Sequence, residues 1–95
     1  MKYPKSILTD NLGECYICKT TNQVEVHHVF HGANRSNATK YGCVIGLCRQ
    51  HHTGSKMSVH RNNKIDLQLK QIAQTKFEKI YGHEKFMEVF KRNYL

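Results

Sequence analysis

The last third of the chain has the hydrophobic periodicity of an amphipathic helix. Apolar residues recur at spacings of three and four, at Ile65, Leu69, Ile72, Ala73, Phe77 and Ile80. This spacing predicts one helix whose apolar face packs on a core and which ends at Gly82. The polar residues placed off that face are Lys70, Gln74, Lys76 and Lys79. A second, short helix is predicted from about residue 83 to 92, with Phe86, Val89 and Phe90 on the same core.

A shorter period marks residues 24 to 28, which read VEVHH. The two valines alternate with other residues as on a half-buried β-strand, where neighbouring side chains point to opposite faces. We therefore expect a strand here, with His27 and His28 facing apart. The predicted fold class is α+β, in which a short β-hairpin and a following helix form a core and the two C-terminal helices pack on it.

The length of 95 residues allows a single domain. Residues 1 to 13, which include the only proline, Pro4, are expected to form a loosely ordered lead-in. Residues 14 to 95 then make the domain, divided into a core at 14 to 61 and a helical tail at 62 to 95. The core section contains every cysteine and all histidines but the last one.

The sequence also indicates a compartment. It has no apolar run near the ~20 residues that a membrane-spanning helix needs. Its first residues, MKYPKSILTDNLGE, lack the apolar stretch of a signal peptide. We therefore expect a cytoplasmic protein without a membrane partner, and in that reducing setting cysteines serve as metal ligands before they form disulfides.

Two short motifs have the spacing of a zinc site. CYIC at residues 15 to 18 and CRQH at residues 48 to 51 form a C-x2-C and a C-x2-H pair. Two such pairs can close a tetrahedral Cys3His site, which leaves no open position and is therefore structural. The predicted zinc ligands are Cys15, Cys18, Cys48 and His51. Cys43 is left over and is expected to pack as a small apolar residue.

The charge of the chain favours a polyanionic partner. Fifteen Lys and Arg against seven Asp and Glu give a formal net charge of +8. Such a balance points most simply to DNA or RNA. The candidate contacts to backbone phosphates are Arg35, Arg49, Lys56 and Arg61.

The order of the motifs resembles the HNH endonucleases, whose ββα-metal motif is often held by a pair of zinc knuckles. C-x2-C is followed by VHHV and then by GLC-x2-HH. The chain resembles small phage-encoded HNH-type proteins more closely, in HHVFHGANR, YGCVIGLCRQHHTGSKMSVH and AQTKFEKIYGHEKFMEVFKRNYL. It is more distantly similar to the phage recombination-enhancement nuclease that acts with RecA filaments. The resemblance covers residues 15 to 95.

This resemblance implies a zinc-braced, treble-clef-like ββα-metal core and a role for each of four histidines. His28 takes the place of the general base, a task that imidazole can perform near pH 7. His27, His52 and His60 take the places of ligands to a second divalent ion. Imidazole suits Mn²⁺, Ni²⁺, Co²⁺ or Zn²⁺ better than Mg²⁺, and which of these ions supports turnover stays open.

The chain departs from the HNH pattern at Cys43, which stands where the family carries an Asn that braces the loop of the base. Asn34 and Asn37 are the candidates to replace that Asn. Of the remaining histidines, His31 is expected to be a loop ligand or an exposed side chain, and His83 a structural or exposed one.

The function implied by the resemblance is that of a metal-dependent endonuclease that hydrolyses phosphodiester bonds in DNA, in the host cell if the protein is phage-encoded. Two alternatives stay open. One is a catalytically weak or inactive, zinc-stabilised nucleic-acid-binding module. The other is a recombination adaptor that docks on a recombinase or another phage protein through the helical tail. The oligomeric state is left open.

Overall fold

The computed structural model describes residues 5 to 56 and 58 to 95. Within them the chain is a small α+β protein, as predicted, with a two-stranded sheet and helices. The strands are β1, Val24–His28, and β2, Val44–Cys48; the helices are α1, Arg35–Lys40, α2, Asn63–Tyr81, and α3, His83–Phe90. A single π-helical turn, Gln50–Gly54, follows β2. Pro4 and the first part of the predicted lead-in lie outside the described residues.

The two strands pair antiparallel, with Val24 opposite Cys48 and His28 opposite Val44. The connection between them is longer than the short hairpin that was predicted, because residues 29 to 43 contain a 3-10 turn and α1. All of β2 is buried, whereas β1 is buried only at its two histidines. The sheet therefore directs the end of β1 toward the interior of the protein.

Gly46 in β2 lets the segment before β1 pack directly on the sheet. A Cβ atom there would lie 2.5 Å from the carbonyl oxygens of Leu12 and Glu14, which is too close for any larger residue. The backbone N–H of Tyr16 donates to the Gly46 oxygen at 2.7 Å. This contact holds Cys15, the first predicted zinc ligand, against β2.

Both C-terminal helices are confirmed at nearly their predicted bounds. The Asn62 side chain caps α2 by accepting from the backbone N–H groups of Lys64 and Ile65. Gly82, with φ of +90°, separates α2 from α3 as predicted. The second helix ends at Phe90 rather than at residue 92, because Lys91 adopts a left-handed backbone with φ of 61°.

The predicted apolar face of α2 is wrong in part. Ile72 and Ile80 are 38% and 57% exposed, whereas Gln74, which the periodicity placed off the face, is fully buried. The reason is that the C-terminal residues fold back over Gln74. Its side chain accepts from the Tyr94 N–H at 2.8 Å and donates to the Asn93 side-chain oxygen at 2.7 Å.

The core joins both helices to the end of β1. Its largest side chains are those of Phe30, Phe77, Phe86 and Phe90. The Phe30 ring, two residues beyond β1, lies 4.4 Å from the Phe90 ring centroid and 5.6 Å from that of Phe86. Cys43 is fully buried in the same core, as expected of a small apolar residue, and burial raises the pKa of its thiol to about 12. Among the described residues, no helix combines the length and apolarity needed to cross a membrane.

Candidate functional site

The structure brings the four predicted zinc ligands together. The Sγ atoms of Cys15, Cys18 and Cys48 and a ring nitrogen of His51 all lie within 4.8 Å of one another. The two first cysteines sit in a turn that Lys19 closes, with φ of 68° and a hydrogen bond from its N–H to the Cys15 oxygen at 2.9 Å. Cys48 ends β2, and His51 lies in the π-helical turn. We call this group the Cys3His cluster.

The distances within the Cys3His cluster fit a tetrahedral zinc ion. The Sγ atoms of Cys18 and Cys48 are 3.7 Å apart. His51 Nδ1 lies 3.7 Å from Cys15 Sγ and 3.2 Å from Cys48 Sγ. A tetrahedron with Zn–S bonds of about 2.3 Å has edges of about 3.8 Å between sulfur atoms. The cluster can therefore hold a structural metal such as zinc.

The electrostatics at Cys15 also suit a metal. Burial raises the pKa of the Cys15 thiol, but hydrogen bonds from three backbone N–H groups and from Cys18 outweigh it and lower that pKa to about 6. The thiolate is the form of cysteine that binds metal. Cys15 is thus prepared to be a ligand near neutral pH.

The second predicted set of ligands also converges. One ring nitrogen each of His27, His52 and His60 lies within 4.8 Å of the others. The Nε2 atoms of His52 and His60 are 3.0 Å apart. The His27 ring centroid lies 5.2 Å from that of His52 and 5.5 Å from that of His60. We call this group the three-histidine cluster.

Backbone hydrogen bonds explain why residues far apart in sequence meet in this cluster. The Val59 N–H donates to the His51 oxygen at 2.8 Å, and the His60 N–H donates to the His52 oxygen at 3.4 Å. These bonds hold the turn before α2 against the π-helical turn, so that His60 lies beside His52. His27 reaches the same point from β1.

The surroundings keep two residues of the three-histidine cluster, His27 and His52, in the form that binds metal. His27 is 4% exposed, and its Nε2 atom is buried without a hydrogen-bond partner among the described residues. Burial, followed by the charges of His52 and His60, lowers the pKa of His27 to about 3. Burial also lowers the pKa of His52, against the opposing effect of Glu25. Neutral imidazoles are the ligands that metal ions need.

Glu25 is a functional candidate that the sequence reasoning missed. Its carboxylate Oε2 lies 3.8 Å from His52 Nδ1, on the side of the ring away from His60. Metal-binding histidines are commonly oriented by a carboxylate in this way. A signal was present in the sequence, because Glu25 and His27 are two residues apart and share one face of the strand.

His28 contacts a different element from His27. Its Nε2 atom lies 2.9 Å from Thr39 Oγ1 on α1. The Thr39 hydroxyl also donates to the Arg35 oxygen at 3.2 Å, which holds it in place beside the His28 ring. Burial, and then the charge of Arg35, lower the pKa of His28.

Both strand histidines nevertheless open onto one cleft of about 230 Å³. We call it the histidine cleft; it is lined by Val26, His27, His28, His31, Arg35, His52 and His60. The cleft lies at the end of β1, since His28 is the last residue of that strand. His27 and His28 were expected to face apart. They contact different partners, but both side chains line the same cleft.

Comparison of the chain with protein-family models, with curated proteins and with solved structures found no match. No family is therefore assigned to it, and the resemblance to the HNH endonucleases stays a prediction. The case for a function rests on the Cys3His cluster, the three-histidine cluster and the histidine cleft.

The four predicted phosphate contacts occupy different surroundings. Arg35 lines the histidine cleft, near His28. Arg49 lines a separate surface cleft of about 570 Å³ that also borders Cys18 and Cys48. Lys56 and Arg61 are exposed between the π-helical turn and α2. Of these four residues, Arg35 is therefore the one that lines the histidine cleft.

Asn34 and Asn37, which were expected to brace the loop near His28, make their hydrogen bonds elsewhere. Their side-chain amides donate to the Phe90 oxygen at 3.3 Å and to the Val89 oxygen at 3.4 Å, and so tie the start of α1 to the end of α3. Thr39 holds the base candidate instead. The last histidine, His83, is exposed and lies 2.7 Å from a Glu78 carboxylate oxygen.

Proposed function

We propose that this chain is a metal-dependent nuclease of the HNH type that hydrolyses phosphodiester bonds in DNA. In this proposal the Cys3His cluster holds a structural zinc ion within a treble-clef-like ββα-metal core. The three-histidine cluster holds a second divalent ion. The observation that carries the proposal is the convergence of three imidazoles in one cleft that a fourth, His28, also lines.

The contrast between the two clusters supports separate structural and catalytic ions. Four protein ligands complete a tetrahedron, as in structural zinc sites. Three protein ligands leave a position for water or for a phosphate oxygen, as in catalytic sites. The Nε2 atom of His27 is buried and has no hydrogen-bond partner among the described residues. A buried polar atom of this kind needs a partner, and a metal ion would provide one.

The chemistry of the cleft follows from its residues. A bound divalent ion supplies Lewis-acid stabilisation of the charge that develops on the phosphoryl oxygens. His28 removes a proton from the attacking water, since burial keeps its imidazole neutral at pH 7. Thr39 fixes the ring through Nε2. Arg35, which lines the same cleft, binds the phosphate of the substrate.

DNA is the proposed polyanion because of charge. The net charge of +8 supplies attraction that does not depend on base sequence. Arg49, Lys56 and Arg61 extend the positive surface beyond the cleft and contact phosphates on either side of the scissile one. Contacts of this kind position a nucleic acid and carry little sequence preference.

The test is cleavage of plasmid and single-stranded DNA by zinc-loaded protein, with Mn²⁺, Ni²⁺, Mg²⁺ or additional Zn²⁺ supplied to the second site. The His28→Ala variant should lose about 10²- to 10⁴-fold in rate, as expected for a general base. The His83→Ala variant, which changes an exposed histidine far from the cleft in sequence, is the matched control and should cut like wild type. If wild type binds DNA but cuts in no metal, the chain is a zinc-stabilised binding module instead.

A further inference from the structure

His31 is a fifth imidazole at the histidine cleft that the proposed function leaves without a role. It lies three residues beyond β1 and lines the cleft together with His27 and His28. It does not belong to the three-histidine cluster, whose nitrogens lie within 4.8 Å of one another. Its side chain is 53% exposed, so it faces both the cleft and solvent.

The carboxylate of Asp66 on α2 lies close to the His31 ring. His31 Nε2 lies 3.9 Å from Asp66 Oδ1, while Lys70 holds the other carboxylate oxygen at 2.8 Å. Asp66 sits in the first turn of α2, where its N–H donates to the Asn62 oxygen at 3.1 Å. The carboxylate is thus held in place on α2 by Lys70 and lies near one ring nitrogen of His31.

The other polar residues of the cleft have different roles in the proposed function and do not donate a proton to the leaving group. His27, His52 and His60 each have a ring nitrogen within 4.8 Å of the others. Arg35 carries a guanidinium, which binds phosphate by donating hydrogen bonds. His28 must accept a proton in the proposed reaction. Of the described residues that line the cleft, His31 is the one that can give a proton and recover it from solvent.

We propose that His31 is the general acid of this reaction and protonates the sugar oxygen that leaves phosphorus. This inference rests on the proposed function. His28 takes a proton from water as the new P–O bond forms. The P–O bond to the leaving sugar breaks, and its electron pair stays on the oxygen, which takes the proton from the His31 imidazolium. One water is added in total, and solvent restores both imidazoles.

The leaving group provides the test. Plasmid DNA has a sugar alkoxide as its leaving group, which needs a proton, whereas bis(p-nitrophenyl) phosphate releases a stable phenolate, which does not. The His31→Ala variant should lose about 100-fold on DNA and much less on bis(p-nitrophenyl) phosphate, so the readout is the difference between the two losses. His28→Ala should be slow on both substrates. His31→Gln, which preserves size and polarity, should behave as His31→Ala does.

The two proposals fail in different ways. Equal losses on the two substrates, or no loss on either, would overturn the role of His31 and leave the nuclease intact. Hydrolysis of neither substrate by wild type, in any of the four metals, would overturn the nuclease and the acid role with it. Zinc content, measured in every variant, shows whether the Cys3His cluster and hence the fold are retained.

A second readout needs no turnover. A short oligonucleotide is added to zinc-loaded protein without a second ion, and the imidazole ring signals are followed by NMR. The His31 signal should shift on binding, since its ring meets the scissile phosphate, while that of His83 should not. An unchanged His31 signal in protein that binds the oligonucleotide would overturn the assignment.

Discussion

At the scale of single residues, spacing in the sequence predicted the metal candidates but not the groups that hold them. Cys15 and Cys18 lie on one turn, and such a pair can be recognised from its C-x2-C spacing in the sequence. Glu25 could also have been found, since it shares a strand face with His27. Thr39 could not, because it reaches His28 only through the position of α1, which no local pattern indicated.

Thr39 gives a prediction at this scale. Thr39→Val keeps the shape of the side chain but removes the hydroxyl that contacts the His28 ring at 2.9 Å. A small displacement of a general base lowers the rate of the chemical step. In the proposed mechanism, DNA cleavage should therefore fall by up to about 100-fold with an unchanged KM. Thr39→Ser, which restores the hydroxyl, should recover most of the rate. If Thr39→Val cut DNA as fast as Thr39→Ser, the contact with Thr39 would not be what orients His28.

At the scale of elements, the periodicity of α2 predicted its existence and bounds but misplaced part of its buried face. Gln74 is buried because residues 93 and 94 return to hydrogen-bond it, a long-range event that a helical pattern does not contain. The same amide donates to Glu78 Oε2 at 2.8 Å, and His83 of α3 contacts that oxygen at 2.7 Å. The junction of the helices thus depends on a charged carboxylate.

The pH dependence of this junction is predictable. The hydrogen bond from Gln74, and then that from His83, lower the pKa of Glu78 in the folded protein. The stability that Glu78 contributes is therefore complete above its unfolded pKa of about 4.3 and is lost as the pH falls through the lower, folded value.

The measurement is the difference in unfolding free energy between wild type and Glu78→Gln, followed from pH 7 downward. Wild type should be the more stable at pH 7, and the difference should shrink below about pH 4. The difference between the two proteins excludes any effect of acid on the Cys3His cluster, because both proteins contain that cluster. Glu84→Gln, on the exposed side of α3, is the control. A difference that does not change with pH would exclude the Glu78 contacts as its source.

At the scale of the whole molecule, α+β class and the C-terminal helices were predictable, whereas the path between the strands was not. The chain has 95 residues, and a domain of this size is stable by roughly 5–15 kcal/mol. The Cys3His cluster joins the segment before β1 to the end of β2 and to the π-helical turn. A closed metal site of this kind contributes a large share of such a total.

Zinc removal should therefore unfold much of the protein. Chelation at neutral pH should lower the unfolding midpoint strongly and expose the buried phenylalanines, because zinc binding is coupled to folding. His60→Ala, which removes a proposed ligand of the second ion but leaves the Cys3His cluster, should keep the midpoint near that of wild type. A chelated protein that still unfolds at the wild-type midpoint would show that the cluster is not a structural metal site.

The most direct test of the account is the binding of a second ion. Ni²⁺, which imidazole binds well, is titrated into zinc-loaded protein and followed by calorimetry. The account predicts about one Ni²⁺ per chain for wild type and none for His27→Ala or His60→Ala, with zinc retained in all three. The absence of Ni²⁺ binding by wild type, or equal binding by His60→Ala, would contradict a catalytic ion at the three-histidine cluster.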